Sequence, residues 1–185
     1  REKMKKFKLT TLYMLTMGIG QITFAEQQRA TLPQLDSKTI TTQCDAQIAT
    51  VKVKLAAFAK MPLQNNALAR WDQIFAEFED FIGPVGFYSN VNPSAEVRQA
   101  ADDCEVKINQ YQTEIYQDAA LYQQIKKIKT TNDIDAKYRQ DILNDFEDIG
   151  IQLSKDQQAR LKIILDNLTK IEQEFARNIR DNPEK

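Results

Sequence analysis

The chain has 185 residues, 42% of them apolar and 28% charged, which is typical of a folded globular protein and excludes a fully disordered one. Its 25 basic and 26 acidic residues leave a formal charge of −1, which argues against a generally basic nucleic-acid binder. Five glycines and five prolines are few for an all-β chain, and the absence of histidine excludes every mechanism that needs imidazole, including H-E-x-x-H zinc sites.

The N-terminus has the three-part layout of a secretory signal peptide. A basic stretch begins at Met4, residues 9–24 carry no charge, and small residues precede a cleavage position after residue 25. The uncharged run is too short and too polar for a typical transmembrane helix, although an uncleaved anchor is the alternative. We therefore interpret residues 1–25 as a signal peptide with upstream flanking residues, and residues 26–36 as a polar leader.

Export has consequences for charge and partners. Residues 1–25 hold five of the 25 bases and one of the 26 acids, so cleavage would leave an acidic chain. Nucleic acid and anionic membrane surfaces repel an acidic chain. We expect a periplasmic or secreted protein with no nucleic-acid partner and no stable membrane association after cleavage.

The two cysteines are Cys44 and Cys104. An even number in an oxidising compartment favours a disulfide, whereas their position on apolar helix faces also fits two buried free thiols. A bridge would close a loop of about sixty residues and contribute about 4 kcal/mol in the chain-entropy model. A zinc site is disfavoured because no further ligands cluster with them. We favour the bridge.

Two helices are predicted first, with the fold beginning near Ser37. Apolar residues recur at helical spacing over residues 40–58 and again over residues 68–82. Gly83-Pro84 predicts the end of the second helix, with residues 85–91 as a connection.

The third helical segment is the longest and extends almost to Lys129. Asn92 is the predicted N-cap, and Pro93 suits the first helical position because its missing N–H is not needed there. Such a length in a globular domain predicts a bend or break near Gln117-Asp118.

Two more helices complete the chain. One covers residues 134–146 and ends at Gly150, and Ser154 with Gln157 forms a capping box for the last. The apolar positions of the last helix are Leu161, Ile164, Leu165, Leu168, Ile171, Phe175 and Ile179. No segment alternates with period two, so we predict an all-α fold of five or six helices over residues 37–182, packed as an irregular antiparallel bundle.

Aromatic and acidic clusters have structural explanations. Trp71, Phe75 and Phe78 could stack a ligand, but their spacing favours the core face of one helix. The acidic stretches 77–80 and 145–148 lack the spacing of a calcium loop and are interpreted as solvated helix faces.

Several segments in a fixed order carry a family resemblance. They are Asn66–Phe75, Val91–Ala101, Ala120–Tyr122, Phe146–Ser154 and Glu174–Asn178. Through them, residues 35–182 resemble the N-terminal helical region of the thimet oligopeptidase family of zinc metallopeptidases. The resemblance implies that these helices form a wall of a channel that admits only short peptides.

The family's zinc lies on an H-E-x-x-H helix with a downstream Glu, in a region that follows these helices. Because this chain has no such motif, no catalytic or metal residue can be assigned to it, and no cofactor is expected in it. The resemblance implies the non-catalytic N-terminal part of an exported zinc oligopeptidase, inactive alone. Its partners would be the zinc-binding catalytic domain of the same parent chain and short peptides in the shared channel.

A second hypothesis is a stand-alone secreted helical module that binds a peptide or protein and is not an enzyme. The two hypotheses differ in the expected surface. A missing catalytic domain predicts a large exposed apolar surface, whereas a self-contained module predicts a closed polar one.

Overall fold

Six α-helices account for most of the residues described by the structure, a computed structural model covering residues 32–182. They are α1 Ser37–Lys60, α2 Ala67–Val91, α3 Ala95–Tyr116, α4 Ala119–Lys127, α5 Asp133–Asp148 and α6 Lys155–Arg180. There is no strand within 32–182, so the predicted all-α class and helix number are confirmed for that range. The proposed signal peptide and most of the polar leader lie outside the described residues.

Helix α3 is the centre of the fold. It packs against α1, α2 and α6, and more briefly against α4 and α5. An aromatic cluster lies in the core around Phe146, with the ring of Trp71 6.0 Å away and that of Tyr116 5.1 Å away. Trp71 and Phe78 are buried and Phe75 is partly buried against them, so the prediction that this face of α2 packs on the core is confirmed.

A disulfide joins α1 to α3. The sulfurs of Cys44 and Cys104 are 2.07 Å apart and their Cα atoms 5.8 Å apart. Both residues are buried on the faces where the two helices meet. The bridge therefore links the first helix of the described range to its central one.

The predicted end of α2 at Gly83-Pro84 is wrong. The helix continues through Pro84 to Val91, so residues 85–91 are helical and not a connection. Proline removes one backbone hydrogen bond and disfavours a helix locally. Here Val85 and Tyr88 are buried after the proline, and this core packing outweighs the local preference.

The start of α3 also differs from prediction. Ser94, and not Asn92, is the N-cap, because the Ser94 hydroxyl accepts a hydrogen bond from Val97 N. Asn92 instead ends α2, and its side chain accepts from Ser94 N, so Pro93 lies before the helix. The predicted break is confirmed: α3 ends at Tyr116, and Asp118 caps α4.

The connection from α5 to α6 follows the prediction. Gly150 has a φ of 80°, a left-handed conformation that suits glycine after a helix. A Cβ there would lie 2.8 Å from the Leu161 side chain. Ser154 and Gln157 form the capping box that begins α6.

Candidate docking surface on the last helix

Helix α6 is 26 residues long, and five of its eight large apolar side chains lie on one exposed face. These residues follow one another at helical steps, and between 48% and 66% of each is exposed. We call them the α6 apolar face: Ile164, Leu168, Ile171, Phe175 and Ile179. In an ordinary amphipathic helix this face would be turned to the core.

The opposite side of α6 is polar and faces α3. Lys162 lies 3.8 Å from the carboxylate of Glu114. Further along, the Gln173 amide donates to Glu105 at 2.8 Å. Arg177 also contacts α3, where its guanidinium donates to Gln99 at 3.2 Å. The helix is thus attached to the bundle largely through hydrogen bonds and ion pairs.

A bidentate ion pair holds the C-terminal end of α6 on the bundle. The Arg180 guanidinium donates to both carboxylate oxygens of Asp102, at 3.0 and 3.1 Å, and also to the Ser89 carbonyl. The Asp102 side chain is only 3% exposed, so this pair is largely desolvated. Hydrogen bonds to Asp181 and then Asp102 raise the pKa of Arg180, which keeps it charged.

Arg180→Ala is expected to lower the free energy of unfolding by about 1–3 kcal/mol, because it leaves the buried Asp102 carboxylate without its main partner. Urea denaturation followed by circular dichroism measures the loss. Arg160→Ala is the matched control, since Arg160 is an exposed arginine on the same helix. An equal loss in both variants would show that the Asp102 pair is not what holds α6.

An acidic groove lies beside the α6 apolar face. It has a volume of about 560 Å³ and is formed by α3, α5 and α6. Asp145 and Asp148 of α5 and Glu172 of α6 line it, and no Lys or Arg within residues 32–182 does so. Asp145 is exposed, but partial desolvation, then repulsion from Asp148 and Asp141, raises the pKa of its carboxyl. The groove therefore carries uncompensated negative charge.

Asp145→Asn is expected to stabilise the protein at neutral pH. Folding raises the pKa of this carboxyl, so the native state binds its proton more tightly than the unfolded state. As the pH rises above about 4 and the proton is lost, the free energy of unfolding therefore falls. Asp145→Asn avoids this loss of stability because asparagine carries no charge. Urea denaturation should show a more stable variant at pH 7 and no difference at pH 3. A variant that is less stable than the parent at pH 7 would contradict this account of the groove.

The structure brings together the two cysteines predicted to pair, Cys44 and Cys104. Among residues 32–182, no three His, Cys, Asp or Glu side chains lie close enough to hold a metal ion. Sequence reasoning missed the ion pair of Asp102 with Arg180. Helical spacing gives no signal for it, because the two residues are 78 positions apart.

Within residues 32–182, every helix is either too short or too polar to span a lipid bilayer.

Comparison with known proteins gives a partial match. Over 119 residues, the chain is 29% identical to oligopeptidase A of Escherichia coli (strain K12), a match that covers 59% of this chain and 18% of that protein. The chain is related to oligopeptidase A. Oligopeptidase A of Haemophilus influenzae is 29% identical over 104 residues, which are 53% of this chain and 15% of that protein.

This relationship confirms the predicted resemblance to the N-terminal region of the thimet oligopeptidase family. The match spans less than a fifth of the length of the oligopeptidase A relatives, at 18% of the Escherichia coli protein. No protein-family model matches the chain.

Proposed function

We propose that this chain is the N-terminal, non-catalytic part of an exported zinc-dependent oligopeptidase that hydrolyses short peptides. In this proposal its helices form one wall of the substrate channel, and the catalytic domain of the same parent protein packs against them. The relationship to oligopeptidase A supports the peptidase assignment. The α6 apolar face supports the packing.

The exposed α6 apolar face is the observation that carries the proposal. Large contiguous apolar patches are rare on soluble monomers and mark surfaces that another domain or protein covers. Five large apolar side chains follow one another along α6, and all are exposed. A self-contained module predicts a closed polar surface, so the face favours the peptidase hypothesis over the stand-alone one.

The zinc belongs to the catalytic domain in this proposal. The residues of this chain do not fit a catalytic zinc site, because the sequence contains no histidine and the described range has no cluster of three metal ligands. We therefore assign the chain the roles of shaping the channel and restricting its access. The chemistry is assigned to the catalytic domain.

Two features support an exported location, either periplasmic or secreted. Residues 1–25 have the composition of a signal peptide. The pairing of Cys44 with Cys104 suits an oxidising compartment, since disulfides persist there and are rare in the cytosol. We propose no nucleic-acid or stable membrane partner, because the chain without residues 1–25 is acidic.

A two-part peptidase assay tests the proposal. With added zinc and a fluorogenic short peptide, the full chain alone is expected to be inactive. Co-expressed with Escherichia coli oligopeptidase A that lacks the region matching this chain, it is expected to restore hydrolysis that a chelator abolishes. Hydrolysis by the purified chain alone, lost on chelation, would contradict the proposal. So would a reading frame that does not continue past Lys185 into an H-E-x-x-H helix.

A further inference from the structure

The spacing along α6 matches the seam of a coiled coil. Leu161, Ile164, Leu168, Ile171 and Phe175 follow one another at steps of three, four, three and four residues. Those steps are the a and d positions of a heptad, which fit the side chains of a second helix as knobs into holes. Leu161 is partly buried near Gly150, and the other four are exposed. A helix alongside α6 would cover them.

The acidic groove determines the charge that such a helix must carry. Leu168 of the seam and Glu172 beside it both line the groove, so a helix on the seam also covers the groove. Asp145 and Asp148 line the opposite wall on α5. Complementary charge favours a partner that brings Lys or Arg to this flank, and like charge disfavours one that brings Asp or Glu.

We infer that the α6 apolar face binds an amphipathic α-helix with basic residues along the flank that meets Asp145, Asp148 and Glu172. The inference rests on the proposed function for the source of this helix, which is the remainder of the peptidase. A second copy of this chain is a poorer occupant. It would bring the same acidic groove to the interface, and that groove is lined by no Lys or Arg of residues 32–182.

Two synthetic peptides test the inference on the full chain. Each is a four-heptad helix with Leu at every a and d position, one with Lys and the other with Glu at the e and g positions. Fluorescence anisotropy of the labelled peptides measures binding. The Lys peptide is expected to bind about tenfold more tightly than the Glu peptide. Equal binding of both peptides would overturn the charge assignment.

A matched pair of variants locates the binding surface. Ile163 and Ile164 are neighbours on α6 and are each 61% exposed, but only Ile164 lies on the seam. Ile164→Glu is expected to weaken binding of the Lys peptide at least about tenfold, and Ile163→Glu to change it less than about twofold. Circular dichroism checks that both remain folded. Unchanged binding by a folded Ile164→Glu variant would overturn the inference.

A charge reversal gives a second, independent test. The double variant Asp148→Lys, Glu172→Lys is expected to bind the Glu peptide more tightly than the Lys peptide. A preference that stays unchanged would contradict the role of the groove. Sedimentation of the chain without peptide tests whether a second copy covers the face. A dimer that is abolished by Ile164→Glu but not by Ile163→Glu would show that it does, and would contradict the inference.

The peptide experiment does not depend on catalysis, so it can fail separately from the proposed function. Restored hydrolysis in the two-part assay without peptide binding would overturn the helical partner and keep the peptidase assignment. Peptide binding with the expected charge preference but no restored hydrolysis would support the helical partner and count against the peptidase assignment.

Discussion

Trp71→Ala is expected to lower the free energy of unfolding by about 3–5 kcal/mol. Trp71 is 2% exposed, and its ring lies 5.5 Å from that of Phe58 and 6.0 Å from that of Phe146. These residues belong to α1, α2 and α5, so the indole connects three helices. Truncation removes buried apolar surface and leaves a cavity that the aromatic neighbours cannot close.

Urea denaturation followed by circular dichroism measures this loss. Phe87→Ala is the control, because Phe87 is an aromatic residue on the same helix but is 47% exposed. Its substitution is expected to change stability by no more than about 0.5 kcal/mol, as for most surface positions. A loss for Trp71→Ala as small as that of the control would mean that the aromatic cluster is not the core of the fold.

Breaking the bridge between Cys44 and Cys104 is expected to cost about 4 kcal/mol, because it restores the freedom of a long loop in the unfolded chain. The two residues are 60 positions apart. Cys44→Ala and Cys104→Ala should each give most of this loss. The double variant should lose little more stability than either single variant, since each single substitution already removes the same bond.

Thiol titration of the oxidised, unfolded chain provides a direct control. It should detect no free thiol, and two free thiols would rule out the bridge. Additive losses in the two single variants would likewise contradict it, because two independent buried side chains behave additively and a shared bond does not.

Much of the bundle could be predicted from residues that act locally. Ile40, Cys44 and Phe58 recur at helical spacing and are all buried. The Ser154 side chain caps α6 together with Gln157 as predicted, because a cap depends only on residues two or three positions away. Periodicity and capping are local signals, so they identified the helices without knowledge of the tertiary structure.

The continuation of α2 past Pro84 could not be predicted in the same way. Glycine followed by proline is a strong local signal for the end of a helix. What keeps α2 helical is the burial of Val85 and Tyr88 in the core, a property of the assembled fold. Local preference amounts to a few kcal/mol at most, and the packing of a buried helix end can exceed it.

The sequence predicts the apolar face of α6 but not its exposure to solvent. The spacing of Ile164, Ile171 and Phe175 predicts an amphipathic helix, but not whether its apolar side faces the bundle or the solvent. The orientation depends on the partners of the polar side. Asp102 and Arg180 meet across 78 positions, and no local pattern indicates such a pair.

The unusual orientation of α6 makes its two sides respond in opposite ways to ionic strength. Salt screens the more exposed ion pair of Lys162 with Glu114 on α3, but it screens the desolvated pair of Arg180 with Asp102 much less. Apolar contacts are not screened, and salts such as sulfate strengthen them. In concentrated sulfate, a contact on the apolar side of α6 would therefore strengthen while the more exposed Lys162 pair weakens, and the Arg180 pair would keep the helix on the bundle.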